Sequence, residues 1–381
     1  MDQHGPDPSL LRWMNAVSAI HQLRSSGEMT STELAKALQV ARSTAEEALG
    51  VLTEKGLVDE LPPATPRRAG RPARRYRFRN EAGYVVGVGF DHLQVSATIG
   101  DLSGETIMRH ARQLPDDTNA VDPVAEIVDT VNEAFSIAGR RVDRLRGIAV
   151  GLPGVISPDG RIVRCDPAPS WVGRAVSDEL AQQFNCPAMT ENHGRMAVLG
   201  ECWQGLSAGS SDVVFIIGGV SMGVGVMVNG DVVRGRHGAA GEVGHHPLLS
   251  GSVVLRLRSM LAETSPGVAP EQAAARAFAA GDDPAHTEFR RRYAEDLAAL
   301  ASMAALTVDP EYVILGGTLA EADDDLVEQV RHHIEANAMF PPTVARTSLG
   351  EDAIAIGGVR RALTLAEQTL LDPVALSRTS A

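Results

Sequence analysis

The fold is decided by residues 85–108, which read VVGVGFDHLQVSATIGDLSGETIM. Their pattern has a period of two, which is typical of β-strands whose side chains point alternately to the two faces of a sheet. We therefore predict three strands joined by short turns, at residues 85–90, 94–99 and 105–108. A helix at 123–138 and a buried strand at 147–152 are predicted to follow.

The same order of elements returns in the second half of the chain. Strands are predicted at residues 213–217, 223–228 and 231–233, and helices at about 285–308 and 322–337 flank a buried strand at 311–315. A duplication of this kind is more specific than any single glycine motif. It predicts an α/β protein with two related lobes.

Residues 1–80 follow a different pattern. Apolar residues at helical spacing predict a helix at 10–23, and Thr30-Ser31-Thr32-Glu33 has the form of a capping box that starts a second helix. A turn at 39–41 precedes a third helix at about 42–55, and strands at 57–61 and 76–78 flank a loop rich in Pro and Arg. Three helices and such a hairpin make a winged helix-turn-helix. The alternative, a solvated linker, leaves the helical spacing unexplained.

Charge is distributed unevenly between these parts. The 381 residues carry a formal net charge of −13, yet residues 1–80 hold 12 Lys and Arg against 9 Asp and Glu, which leaves 23 against 39 for the remainder. The first segment is therefore +3 and the remainder −16. Such an asymmetry points to contact with nucleic acid or with a membrane.

Neither a membrane span nor a signal peptide is expected. No apolar run reaches the roughly 18 residues that cross a bilayer, and the start Met1-Asp2-Gln3-His4 lacks the basic and then apolar pattern of a signal peptide. We expect a cytoplasmic protein with no membrane partner. Its three cysteines form no CxxC pair and are expected to be small buried side chains: Cys165, Cys186 and Cys202.

Several short stretches resemble the ROK family of repressors, open reading frames and sugar kinases, from about Leu10 to Leu365. They are GLPGV at 151–155, PAPSW at 167–171, ENH at 191–193, GAAGEVGH at 238–245, VILGG at 313–317, and the GRP at 70–72 in the predicted wing. The resemblance implies a duplicated actin-like ATPase fold, preceded in the repressor branch by a winged helix-turn-helix. The domains would be residues 1–80, a first lobe at 81–200 to which a helix at about 355–370 can return, and a second lobe with the oligomerisation contacts at 201–381.

Departures from the family pattern argue against catalysis. Kinases of the family cradle ATP phosphates with Asp-x-Gly-Gly-Thr and Gly-Thr-Gly turns, where this chain has Gly89-Phe90-Asp91-His92-Leu93 and Gly219-Val220-Ser221. The Asp that serves as the general base in those kinases is His193 here. The zinc-binding cysteines of relatives are missing from residues 251–263. We therefore expect no enzyme activity, no cofactor and no metal.

The resemblance implies a partly retained site for a sugar, an amino sugar or a sugar phosphate. Positions that match the family's ligand residues are Asn192, Glu242, His245 and Glu263, to which Gly154 and His193 are added as neighbours in the motifs. Ala168 and His193 stand where the family has Asn and Asp, which favours an altered ligand. In the alternative, Glu242 and His245 only cap a Gly-rich loop, and the protein has no ligand.

The third helix of the head is predicted to enter the major groove of DNA with its first turn. Its candidate contacts are Arg42, Ser43 and Thr44, while Glu46 and Glu47 would face cytosine amino groups or repel phosphates. In the wing, Gly-Arg-Pro resembles an AT-hook core that suits a narrow minor groove. The candidate contacts there are Arg67, Arg68, Arg71, Arg74 and Arg75.

The sequence thus predicts a DNA-binding transcriptional regulator, foremost a repressor of genes for the uptake or catabolism of sugars or amino sugars. A single winged helix discriminates weakly, so we expect an inverted-repeat operator and a homodimer or homotetramer. Two alternatives remain at this point: an active sugar kinase with a DNA-binding head, and a DNA-binding oligomer that responds to no ligand.

Overall fold

The computed structural model describes residues 8–62, 74–91, 94–115, 118–219, 222–245, 270–278, 284–322 and 324–370, together with 259, 261, 263, 265, 267 and 268. Within these ranges the chain forms a small N-terminal head and two five-stranded sheets with their helices. No helix in these ranges is both long and apolar enough to span a bilayer. Cys165 and Cys186 are buried, Cys202 is half-buried, and all three are free thiols.

The head contains the three predicted helices, α1 (Pro8–Ser26), α2 (Ser31–Leu38) and α3 (Arg42–Glu54). The capping box forms as predicted: Thr30 Oγ1 accepts a hydrogen bond from the Glu33 N–H at 3.2 Å, and Glu33 Oε2 accepts one from the Thr30 N–H at 2.7 Å. Gln39 ends α2 in the left-handed region, at φ 56°, and so turns the chain towards α3. Leu34, Leu49 and Leu52 fill the core between the helices.

The sheet of the head has three strands where the sequence predicts two. Its strands are β1 (Met29–Thr30), β2 (Val58–Leu61) and β3 (Arg75–Phe78), in the order β1-β3-β2. The strand β1 is only two residues long, and such a short segment has no readable period. Its pairing with β3 fixes the start of α2 to the return strand of the wing.

The first lobe is a mixed sheet formed by five strands: β4 (Tyr84–Phe90), β5 (Gln94–Asp101), β6 (Thr106–Gln113), β7 (Leu145–Leu152) and β10 (Ala188–Asn192). They lie in the order β10-β7-β4-β5-β6, and β10, β7 and β4 are parallel. The helices α4 (Pro123–Ile137) and α5 (Val176–Phe184) belong to this lobe, as does the short hairpin of β8 (Val155–Ile156) and β9 (Ile162–Arg164).

The second lobe repeats this arrangement. Its strands lie in the order β13-β12-β11-β14-β15, with bounds β11 (Val213–Gly218), β12 (Gly223–Val228), β13 (Asp231–Val232), β14 (Tyr312–Gly317) and β15 (Thr343–Arg346). Three parallel strands and two antiparallel strands recur as in the first sheet. Its helices are α7 (Pro270–Phe278), α8 (Pro284–Val308) and α9 (Asp324–Asn337).

Two helices connect the lobes. The helix α6 (His193–Gln204) packs on β11 and β12 of the second lobe, and α10 (Ala353–Leu370) packs on α6 and on β4 and β7 of the first. The packing is close because glycines meet backbone: a Cβ on Gly357 would lie 1.9 Å from the Met196 carbonyl oxygen. The lobe boundary expected after residue 200 falls inside α6, so both lobes share this helix.

The head rests on the C-terminal end of α10. Arg24, at the end of α1, makes a hydrogen-bonded ion pair with Glu367, and its guanidinium lies 4.7 Å from the ring centroid of Phe78. His21 Nε2 lies 3.7 Å from the same carboxylate of Glu367. The side chains of Arg24 and Glu367 are only 16% and 18% exposed, so this contact is largely shielded from water.

Candidate nucleic-acid interface and ligand site

The first turn of α3 is presented to solvent. Arg42 and Ser43 are exposed and Thr44 is half-buried, while Ala45 on the opposite side is buried in the head. The residue before the helix, Ala41, makes no side-chain cap. The first N–H groups of α3 are therefore not capped by that side chain, and such groups at a helix N-terminus favour anions such as phosphate.

Two of the three acidic residues of α3 take part in ion pairs inside the head. Arg42 Nε lies 2.8 Å from Glu46 Oε1, which also accepts a hydrogen bond from the Ser31 hydroxyl at 3.3 Å. Glu47 Oε1 lies 2.6 Å from Arg12 Nε of α1. These contacts inside the head account for both carboxylates. Neither of the roles predicted for Glu46 and Glu47, the recognition of cytosine and the repulsion of phosphates, is needed to explain them.

The described part of the wing begins at Arg74, because Arg67, Arg68 and Arg71 lie outside the described residues. Arg74 Nε lies 3.1 Å from Glu60 Oε1 across the hairpin, and its side chain is 61% exposed. Arg75 donates a hydrogen bond to the Glu28 carbonyl at 3.0 Å and lies 3.6 Å from the Glu28 carboxylate. Arg75 thus ties β3 to the segment before β1, whereas Arg74 stays at the surface.

Asn192 organises the candidate ligand site. It caps α6, since its Oδ1 accepts hydrogen bonds from the Gly194 N–H at 2.9 Å and the Arg195 N–H at 3.2 Å. Its Nδ2 donates to the Gly154 carbonyl at 2.9 Å and to Glu242 Oε1 at 3.1 Å. One side chain therefore joins the end of the first sheet to the Gly-rich loop of the second lobe.

Gly154 contributes backbone to this site. It has φ +96°, and a Cβ there would lie 2.2 Å from the Arg164 carbonyl oxygen. The loop that carries Glu242 approaches as closely, because a Cβ on Gly241 would lie 1.8 Å from the Val224 carbonyl oxygen. Side chains at these two positions would push Gly154 and Glu242 away from Asn192.

The remaining predicted ligand residues differ in their placement. His193 is buried at the start of α6, with Nε2 3.6 Å from where a Cβ of Gly223 would lie. His245 ends the short helical turn Val243–His245. Glu263 is exposed, and in the described ranges no hydrogen bond or ion pair joins it to Asn192 or Glu242. The structure therefore brings together Gly154, Asn192 and Glu242, and it places His193 next to Asn192 in the chain, with its ring near Gly223.

A buried ionic network beneath this site was not predicted from the sequence. Glu191 is 5% exposed, with Oε1 2.8 Å from Arg195 Nε and Oε2 2.7 Å from Arg234 Nε. Arg195 also donates to the Gly238 carbonyl from Nη1 at 3.1 Å and from Nη2 at 3.2 Å. Burial lowers the pKa of the Arg195 guanidinium, and the charge of Glu191 opposes this shift. Only the four-residue spacing of Glu191 and Arg195 could have indicated the pair, once α6 was known.

The position of the kinase phosphate turn is closely packed. A Cβ on Gly89 would lie 3.0 Å from Ser96 Oγ and 3.1 Å from the Cβ of Ile354 on α10. An aspartate at this position would require the side chain of Ser96 or Ile354 to shift by a few tenths of an ångström. Asp91 Oδ1 accepts a hydrogen bond from the Gln94 N–H at 2.9 Å, while His92, Leu93, Val220 and Ser221 lie outside the described residues. Across the described ranges, no group of three or more His, Cys, Asp or Glu could hold a metal ion.

Comparison with known proteins matches this chain to one family. The family model described as "ROK family" matches residues 85–281 and 257–366. The xylose repressor of Caldicellulosiruptor bescii is 23% identical over 239 residues, which cover 62% of this chain and 59% of the repressor. The chain thus spans about three fifths of the length of that relative. A glucokinase of Halalkalibacterium halodurans is 26% identical over 270 residues, covering 61% of this chain and 80% of the glucokinase.

The fold also matches a solved structure along almost its whole length. A crystal structure described as a ROK family transcriptional regulator, homolog of the E. coli MLC protein, superposes with a TM-score of 0.70 at 20% identity. The match covers 96% of this chain and 98% of that chain. The predicted α/β fold class, with two related lobes, is confirmed.

Proposed function

The chain belongs to the ROK family, and from this premise we propose that it is a sequence-specific DNA-binding regulator, a repressor whose operator affinity is controlled by a sugar-type ligand. The relatives include a repressor and a glucokinase, so the family alone does not select between regulation and catalysis. The N-terminal head supports regulation.

The observation that carries the proposal is the exposed first turn of α3. This helix has 13 residues, a length that fits the major groove, and it offers Arg42, Ser43 and the N–H groups that Ala41 leaves uncapped. Arg74 at the base of the wing adds a second exposed arginine, which pairs with Glu60 across the hairpin. The charge of +3 on residues 1–80 favours contact of the head with phosphates, while the body at −16 stays clear of them.

The DNA partner is a double-stranded operator, which we propose to be an inverted repeat. A single head reads few base pairs, so two heads related by a twofold axis are needed for useful discrimination. The protein would therefore act as a homodimer or homotetramer in the cytoplasm.

The ligand we propose is a sugar, an amino sugar or a sugar phosphate that binds beside Gly154, Asn192, His193 and Glu242. Amide and carboxylate groups suit the paired hydroxyls of a sugar because they donate and accept hydrogen bonds. Asn192 Nδ2 donates a hydrogen bond to Glu242 Oε1 at 3.1 Å, and a sugar hydroxyl would exchange into this bond. A relative that is named a xylose repressor supports genes of sugar or amino-sugar use as targets.

We propose no kinase activity for this chain. Gly89 replaces the aspartate of the phosphate turn and packs closely against Ile354 and Ser96, and His193 replaces the base. The similarity to a glucokinase favours the alternative of a kinase with a DNA-binding head. ATP-dependent phosphorylation of a hexose by the purified protein would establish that alternative.

The DNA proposal is tested by the salt dependence of operator binding. The operator is first identified by genome-wide mapping of bound DNA, and affinities are then measured by fluorescence anisotropy at several salt concentrations. Each lost phosphate contact lowers the slope of log K against log salt by about 1. We expect lower affinity and a shallower slope for Arg42→Ala and for the double variant Arg71→Ala/Arg74→Ala.

The matched controls are Arg292→Ala for the single variant and Arg291→Ala/Arg292→Ala for the double variant. Arg291 and Arg292 are exposed arginines of α8 that form ion pairs with Glu288, so their removal changes the net charge by the same amounts. Their slopes should equal that of the unmodified protein. Unchanged slopes in both head variants would refute the DNA contacts proposed here.

A further inference from the structure

The side chain of Arg42 is held in one direction by a carboxylate of its own helix. Arg42 Nε donates a hydrogen bond to Glu46 Oε1 at 2.8 Å, about one turn further along α3. The same oxygen accepts a hydrogen bond at 3.3 Å from the hydroxyl of Ser31, the first residue of α2. Ser31 is buried in the head. The carboxylate is therefore contacted from two sides, and it fixes the direction of Arg42.

The bond to Glu46 leaves the far end of the guanidinium available. In the part of the chain that the structure describes, Nη1 and Nη2 of Arg42 make no hydrogen bond, and the side chain is 67% exposed. Arg74 differs, because its Nε and Nη1 each lie 3.1 Å from a carboxylate oxygen of Glu60. Arg42 thus presents both of its terminal nitrogens to solvent at the first turn of α3.

The carboxylate next to Glu46 has a different partner. Glu47 Oε1 lies 2.6 Å from Nε of Arg12 on α1, and within the described ranges no hydrogen bond or ion pair joins Glu47 to Arg42. Both ion pairs are exposed. The head therefore contains two neighbouring carboxylates, of which only Glu46 contacts Arg42.

The two terminal nitrogens of an arginine match one base in the major groove of DNA. Guanine offers two acceptors there, O6 and N7, whereas adenine offers one acceptor and one donor. Phosphate oxygens also accept hydrogen bonds from arginine, but they carry no sequence information. A side chain that is already held in one direction loses less conformational entropy when it binds. The direction of Arg42 therefore affects both what it binds and how strongly.

We propose that Arg42 recognises a guanine in each operator half-site, and that Glu46 is the positioning residue that directs its terminal nitrogens to the base. This role rests on the proposed DNA binding of the head and adds the identity of a base to it. Glu46 itself touches no DNA. It bonds to Nε, and the planar guanidinium then fixes where Nη1 and Nη2 point.

Modified bases test the proposal, because the charge of Arg42 lies near phosphates whichever group it bonds and salt dependence does not separate the two uses. In the mapped operator, each guanine is replaced in turn by 7-deazaguanine, which lacks the N7 acceptor. A parallel series carries hypoxanthine, which keeps O6 and N7 and lacks only the amino group in the minor groove. Fluorescence anisotropy at one salt concentration gives the affinities. At one guanine of each half-site, 7-deazaguanine should weaken binding by about tenfold, whereas hypoxanthine should leave it unchanged.

Three variants assign that preference to residues. Arg42→Ala should bind the guanine and 7-deazaguanine operators equally well. Glu46→Ala should lose most of the preference, whereas Glu47→Ala, which removes the same charge from the neighbouring position, should retain it. In the Arg42→Ala background, Glu46→Ala should have no further effect on the preference, because the two residues act as a unit.

Each outcome of the experiment supports or contradicts a stated role. A preference that Arg42→Ala abolishes, and that Glu46→Ala but not Glu47→Ala weakens, supports both roles. If 7-deazaguanine changes the affinity at no position, or if Arg42→Ala retains the preference, Arg42 does not recognise guanine, although DNA binding by the head stands. If Glu46→Ala and Glu47→Ala behave alike, Glu46 is not a positioning residue. A chain that binds no DNA would overturn the proposed function as well.

Discussion

At the scale of single residues, Asn192 positions the groups of the ligand site and also makes a hydrogen bond to one of them, Glu242. It holds the start of α6 through Gly194 and Arg195, and it holds Glu242 at 3.1 Å. A ligand that takes over Glu242 leaves the cap of α6 intact. Glu242, rather than Asn192, is therefore the residue to mutate in order to alter ligand binding.

We expect at least one sugar to raise Tm of the unmodified protein, and Glu242→Gln to reduce that increase. Loss of a hydrogen bond to a charged group lowers the binding free energy by about 1.5–3 kcal/mol. This loss is comparable to the stabilisation of about 2.7 kcal/mol that a ligand at 100 times its Kd provides. The measurement is thermal denaturation against a panel of neutral and amino sugars.

The control for that panel is Asp143→Asn. Asp143 forms an exposed ion pair with Arg141, so its loss should leave the response to sugars unchanged. A protein that no sugar stabilises would instead be a ligand-independent regulator.

Residue-level predictions from sequence succeed where the partners are close in the chain. The capping box of Thr30 and Glu33 is readable because both halves lie within one helical turn. The contact of Glu191 with Arg234 crosses 43 positions and depends on where the Gly-rich loop lies, so no local pattern reveals it. The same holds for the bond from Asn192 to Glu242.

At the scale of elements, the close contact of α6 with α10 fixes the two lobes to one another. Gly357 approaches Met196, and a Cβ on Gly200 would lie 2.3 Å from the Ala353 carbonyl oxygen. Backbone atoms meet on both sides, so neither helix can yield by moving a side chain.

Gly357→Ala is expected to destabilise the protein by about 1–3 kcal/mol, because the added methyl group forces α6 and α10 apart. Urea denaturation followed by circular dichroism measures the change. Gly50→Ala is the matched control, since Gly50 lies in α3 and a methyl group added there would meet nothing within 4 Å. That variant should be more stable by about 0.5–1 kcal/mol. Equal effects of the two changes would contradict the close packing.

Elements are predicted from sequence when their environment is simple. The strands β4 and β5 are recognised by their period, and α4 by its length. The helix α6 was not predicted because it is buried on nearly every side, so its apolar residues follow no helical period. The strand β6 runs to Gln113, beyond its predicted end at residue 108, through residues that are polar and partly exposed.

At the scale of the whole molecule, the head and the body meet through a small shielded contact. Arg24 reaches Glu367 while stacking on Phe78, and the cores of the head and of α10 belong to one apolar cluster. The duplicated lobes were predictable, because the strand order repeats along the chain. The docking of the head was not, because Arg24 and Glu367 are separated by 343 positions.

Glu367→Gln should loosen the head. A charged hydrogen bond in a shielded contact contributes about 1.5–3 kcal/mol, so the undocked head should become roughly 10- to 150-fold more populated. Hydrogen–deuterium exchange should then rise in residues 79–83, which join the head to the first lobe.

The control is Glu335→Gln, which removes an exposed ion pair with Arg331 on α9 and should leave exchange in residues 79–83 unchanged. Exchange that stays slow in Glu367→Gln would mean that the apolar cluster alone holds the head.

The contact between Arg24 and Glu367 also limits how freely such a protein can be recombined. A head that is only tethered could be exchanged between bodies, whereas this head carries half of an ion pair whose other half lies near the end of the body. A chimera that joins residues 8–78 to another body would inherit an unsatisfied Arg24. The head and the last turns of α10 therefore have to be exchanged together, although they are far apart in the sequence.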